Sequence, residues 1–171
     1  MPSRRGSVHG NSPAMPTDVD AAEGLVRVRV ALERSPGEPG PEEDWLWAEP
    51  LGSGRYRVES CPFFAYGISR DDVIHAADAE ASAPQFDEVV EKSGHRTLRV
   101  ALDAALEIGS PEVQRLLGQL IERGCTHELL RPKLVAVDLP PHVDLLAVAE
   151  VLEQASRAGV LLWEWADPRP S

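Results

Sequence analysis

Cysteine is nearly absent from this chain of 171 residues: there are two, Cys61 and Cys125, far apart and without a CxxC spacing. That excludes a disulfide scaffold and reads as two free core thiols in a reducing compartment. Positive charge is also in short supply. Lys plus Arg is 17 against 28 Asp plus Glu, a net charge of −11, and only Lys92 and Lys133 are lysines. Nucleic-acid affinity comes from neutralising phosphates with cations, so a nucleic-acid partner is excluded, and an anionic membrane surface with it. No apolar run approaches the ~18 residues that cross a bilayer. The Met-Pro-Ser-Arg-Arg start is followed by no apolar stretch, so neither a secretory nor a twin-arginine signal is expected, and the expected location is cytoplasmic. A Gly-rich phosphate loop, HExxH, GxSxG and CxxC are all missing, and no cofactor or metal is expected.

What is present is ordinary for a folded protein: 43% hydrophobic and 26% charged residues. A chain of this length buries roughly two-thirds of its unfolded surface without help from a disulfide or metal. The acidity is concentrated in residues 24–91, with 6 basic and 14 acidic side chains, net −8; residues 92–171 carry 9 and 11, net −2. Acidity of this kind confers solubility and favours a basic protein partner. Arg outnumbers Lys 15 to 2, and Ala, Pro and Gly are abundant, as in proteins of GC-rich bacterial genomes.

Residues 1–23 are rich in Ser, Pro, Gly and Asn without a hydrophobic period, which predicts a disordered arm. Met15 is an alternative start within it. From Gly24 the chain changes character. Val26, Val28, Val30 and Leu32 alternate with Arg27 and Arg29, the pattern of a half-buried strand. The stretch 44–50 is a second strand with Trp45 and Trp47 on one side. Gly52-Ser53-Gly54 is a hairpin turn that supplies positive φ, and 55–59 is the returning strand. Val73–Ala76 and Gln85–Glu91 complete five strands, which predicts a small SH3-like antiparallel β-barrel over residues 24–92.

Residues 93–167 alternate differently. Strands are expected at 97–102, 125–130, 134–139 and 160–165. Between them, Ser110-Pro111-Glu112 opens a helix carrying Val113, Leu116, Leu117, Leu120 and Ile121 and stopped by Arg123-Gly124. Asp144 caps a second helix carrying Leu145, Val148, Ala149, Leu152 and Ala155. Strand, helix, strand, strand, helix, strand is a ferredoxin-like βαββαβ half, α+β in class. Residues 168–171 are a tail.

The stretches Trp45–Gly52, Arg55–Val58, Pro62–Gly67, Asp72-Val73 and Ser93–Val100 recur in this order in a known family. Through them the chain, over roughly residues 25–165, resembles the bacterial family catalogued as domain of unknown function 4265. The resemblance implies a bacterial source and carries no site residues with it.

Three constellations carry chemistry-bearing side chains. Asp71-Asp72-Val73-Ile74-His75 holds two carboxylates and an imidazole of the type metals favour, but Val73 and Ile74 fit a strand, which splits the three, and Asp-Asp then serves as a turn former. Ser93-Gly94-His95 sets a hydroxyl beside an imidazole. Nucleophilic catalysis needs such groups to converge in space, so Gly94 reads as a hinge and His95 as a hydrogen-bonding residue across the junction of the halves. Cys61 beside Pro62 and a Phe-Phe pair reads as an inert buried thiol. The tryptophans form two pairs, Trp45/Trp47 and Trp163/Trp165, each on one sheet face. They either pack in the core or anchor a partner in a groove between the halves. The expected function is a non-enzymatic acidic module that binds another protein, with Trp45, Trp47, His95, Trp163 and Trp165 as candidate partner-binding or seam residues. The alternatives are a small-ligand sensor using the second half, and an enzyme with its site at the seam.

Overall fold

The computed structural model describes residues 24–79, 82–130 and 132–167. The expected N-terminal arm, the alternative start at Met15 and the expected tail lie outside them.

The first five strands are β1 (Val26–Ala31), β2 (Glu43–Gly52), β3 (Arg55–Val58), β4 (Val73–Ala77) and β5 (Gln85–Glu91), and they close into a barrel in chain order. Each step from β1 to β5 is antiparallel. The closing contact corrects the expectation of an all-antiparallel barrel. β1 and β5 run parallel, meeting at Arg29 and Gln85. The reason is parity: four reversals bring the fifth strand back to the direction of the first. Alternation decides the interior. Val28, Val30, Leu46, Ala48, Val58 and Ile74 point in and are buried. At the β2–β3 turn Ser53 has φ 56 and Gly54 φ 72, the paired positive values a tight hairpin needs. A Cβ at Gly54 would also lie 2.8 Å from His75 Nε2, so that side chain would have to shift.

The second unit contains β6 (Arg96–Leu102), α1 (Pro111–Glu122), β7 (Thr126–Leu130), β8 (Leu134–Leu139), α2 (Leu145–Arg157) and β9 (Leu161–Trp165). Its sheet has the order β7-β8-β6-β9, with every neighbour antiparallel. Leu98, Val100, Val135 and Val137 face the helices and meet Val113, Leu117, Leu120, Val148 and Leu152 in one core.

Helix starts and stops follow the sequence with two exceptions. Asp144 caps α2, accepting from the Leu146 and Ala147 amides, and Gly124 stops α1 with φ 93. Ser110 stands at the N-cap of α1, but its hydroxyl makes no cap bond; it accepts instead from the Glu107 amide at 2.9 Å. Ile121, expected on the apolar face, is 55% exposed. It lies about 80° around the helix from Val113, at the margin of the buried stripe.

The other face of this sheet, carrying Thr97, Arg99, Ala136 and Asp138, is covered in large part by the segment between β3 and β4. Cys61, Phe63 and Ala136 form a small buried cluster there, with Phe64, Leu130 and Leu134 against it. Barrel and sheet are therefore joined by a packed seam.

Candidate functional site

The seam is built around acids that hold backbone. Asp44 sits on the inward register of β2 and is 5% exposed. Its Oδ2 accepts from the Phe64 amide at 2.8 Å and the Ala65 amide at 3.0 Å, and its Oδ1 from the Trp45 amide at 2.9 Å. This fixes residues 63–66 as a wall. Asp72, fully buried, accepts from the amides of Ser69 and Ser93 and from Lys92 Nζ at 2.6 Å. It ties the β3–β4 segment to the start of the second unit.

Between that wall and the open sheet face lies a groove of ≈ 320 Å³ lined by Phe63, Phe64, Tyr66, Arg99, Ala101, Leu134, Leu162, Trp163 and Glu164. Leu162 is 72% exposed at its rim. In the floor, Arg99 is 3% exposed. Its Nε donates to Glu164 Oε1 at 3.1 Å and its Nη1 to the Ala65 carbonyl at 3.0 Å, while its Nη2 has no partner. The Tyr66 ring lies 4.3 Å over the guanidinium, and the Tyr66 hydroxyl donates to Glu164. On the other side of Phe64 and Tyr66 a larger cleft of ≈ 920 Å³ opens toward Leu32, Arg34, Glu38 and Phe86.

Residues 44–163 match the family described as a domain of unknown function (DUF4265). The chain belongs to the DUF4265 family. The matched span runs from Asp44 through Trp163, so it takes in the wall residues and Arg99 and stops one residue before Glu164. No curated protein matches the chain. A solved structure of a hypothetical protein from Neisseria gonorrhoeae is similar in fold, with a TM-score of 0.69 at 18% identity over 86% of this chain and 97% of that one.

The candidate residues of this DUF4265 chain do not converge. Trp45 and Trp47 lie half-buried on the outer barrel face, with the Arg27 guanidinium 4.5 and 5.8 Å from their rings. Trp163 and Trp165 meet edge to face at 5.8 Å and pack against the helix-side core. Of the four, Trp163 also lines the groove. His95 lies at the seam itself. Its Nδ1 is 2.8 Å from Asp138 Oδ1 and its Nε2 3.2 Å from Asp71 Oδ2, so one imidazole bridges the β3–β4 segment and β8. Ser93 does not engage that ring: its hydroxyl donates to the Arg70 carbonyl and accepts from the His95 amide. His75 faces Asp87 at 3.1 Å, apart from Asp71 and Asp72. Among the described residues, no group of His, Cys, Asp and Glu is arranged to hold a metal.

The thiols are chemically quiet. Burial first, then the Glu128 carboxylate, pushes Cys61 well above its ordinary range, and burial pushes Cys125 up to about 11. Glu128 itself is raised by burial, although it accepts the Cys61 amide at 2.9 Å.

Sequence reasoning passed over Arg99, Asp44 and Asp138. A signal existed for Asp44, an acid in phase with Leu46 and Ala48 on the inward register. Arg99 gave none, because the open face of a helix-backed sheet reads as solvent-facing until a second unit covers it.

Proposed function

We propose that the chain is a non-enzymatic binding module of the bacterial cytoplasm whose recognition surface is the groove over Arg99. In this reading residues 24–92 are an SH3-like barrel and residues 93–167 a ferredoxin-like half, and the barrel's β3–β4 segment supplies the aromatic wall. The observation that carries the reading is a preformed apolar groove, its wall pinned from behind by Asp44, with Leu162 exposed at its rim. Exposed apolar surface beside a fixed aromatic wall is how partner sites are built. The occupant is a protein rather than nucleic acid or lipid, since the chain carries a net charge of −11.

A small-ligand sensor is the second reading. It draws on the groove volume of ≈ 320 Å³, at the low end of the roughly 300–1,000 Å³ of ligand pockets. An enzyme at the seam is disfavoured. Both ring nitrogens of His95 face carboxylates, and Cys61 is held as a neutral thiol.

The test is capture from a lysate of the source bacterium by the wild-type chain and by Ala101→Trp. Ala101 is exposed in the groove floor, so the indole fills the groove without disturbing the core. A protein retained by the wild type and lost by the variant supports the reading. Identical captures by the two contradict it.

A further inference from the structure

We propose that the groove accepts a neutral amide carbonyl, carried with an apolar side chain on an extended segment of a partner polypeptide, and that Arg99 Nη2 is its donor. This rests on the binding-module reading and names the chemistry of the occupant.

Arg99 is 97% buried by complement of its 3% exposure, and Nη2 has no partner. A buried donor left unpaired is destabilising, so an acceptor supplied from outside recovers that loss. Charge selects the acceptor. Glu164 lies 3.1 Å from Arg99 Nε and already balances the guanidinium. The Glu164 side chain is 49% exposed, so an incoming carboxylate meets Glu164 as well as Arg99. A neutral carbonyl satisfies Nη2 without that repulsion.

Shape selects the rest. Phe63, Phe64, Leu134 and Leu162 surround a space of ≈ 320 Å³, room for one apolar side chain and its amide. β9 is the edge of its sheet, so an extended segment has open flank along the groove. Tyr66 covers the guanidinium with its side chain alone: the ring lies 4.3 Å over it and is 37% exposed, and while the neighbouring Phe64 and Ala65 amides stay pinned by Asp44 the ring rotates aside, giving up its hydroxyl bond to Glu164, as the carbonyl enters.

The test uses the full ¹⁵N-labelled chain and two probes that differ only in the carbonyl group, 3-phenylpropanamide and 3-phenylpropanoate, followed by NMR. The amide is expected to shift the Arg99 Nε–H signal and the Ala101 and Leu162 amides in the millimolar range. The carboxylate is expected to bind about tenfold more weakly, the scale of one like-charge contact near a surface. Ala101→Trp abolishes the shifts while the rest of its spectrum reports an intact fold. Arg99→Lys keeps the charge but loses the fork, and weakens the amide about fivefold. Equal or tighter binding of the carboxylate overturns the neutral-carbonyl inference and leaves the binding module standing. Shifts confined to Trp45 and Trp47 overturn both. No shift with either probe, from a chain that still captures a groove-dependent protein, overturns the inference alone.

Discussion

Asp44→Ala separates the groove wall from its support. The Asp44 carboxylate accepts from three amides at 2.8–3.0 Å, and those of Phe64 and Ala65 belong to the wall. Deleting it leaves these amides without an acceptor beside the barrel core. An unsatisfied buried donor costs about 1–3 kcal/mol, so two cost about 2–6 kcal/mol. A domain of this size has about 5–15 kcal/mol in total, so the variant loses a large share of its stability. Asp44→Asn is the graded control. Its single carbonyl oxygen can keep Phe64 and Ala65 but must turn an NH₂ toward the Trp45 amide, at about 1–3 kcal/mol. Urea unfolding followed by tryptophan fluorescence measures both. The expected order is wild type, then Asn, then Ala, and the NMR probe shifts at Ala101 and Leu162 vanish in Asp44→Ala before global unfolding. If Asp44→Ala lies within about 1 kcal/mol of the wild type, or keeps the probe shifts, the argument that this acid builds the wall is refuted.

Three further outcomes are expected. His95→Ala removes the hydrogen-bonded bridge between Asp71 and the buried Asp138, and leaving the buried acceptor unpaired costs about 1–3 kcal/mol, read as a lower urea midpoint; an unchanged midpoint would show the bridge to be idle. Glu128→Gln keeps the acceptor for the Cys61 amide but removes a buried charge. Burial raises Glu128 above its ordinary 4.5, so its favourable contribution is full below 4.5 and is lost as pH rises through the raised value. The variant therefore melts higher than wild type at neutral pH and the gap closes in acid; a lower melting temperature at neutral pH contradicts this. Cys61 and Cys125, both pushed upward by burial, resist an aromatic disulfide reagent in the native state and react together on unfolding; rapid native labelling of either shows that its burial is overstated.

The two units were legible for a physical reason: each is patterned by its own core. Val26-Arg27-Val28-Arg29-Val30 can bury only one side, and Val113, Leu116, Leu117 and Leu120 fall on one helix stripe. The seam was not legible because its sheet side is polar. Thr97 and Arg99 alternate with Leu98 and Val100 as solvent-facing residues do, yet Thr97 is fully buried and Arg99 is 3% exposed. The wall Cys61–Tyr66 has no periodicity, since it is irregular backbone held by Asp44 and by the Glu128 side chain from distant strands. His95 was readable as a junction residue from its place beside Gly94, but its partners Asp71 and Asp138 are set by topology. The tryptophan pairs drew attention through rarity, and three of their four rings lie outside the groove.

The most direct test of the groove as the recognition surface is a hydrogen-exchange footprint of the chain with its captured partner. Protection is expected in residues 62–66, 99–101 and 161–164, which line or flank the groove. Protection around Trp45 and Trp47, with the groove segments unchanged, would contradict it and move recognition to the outer face of the barrel.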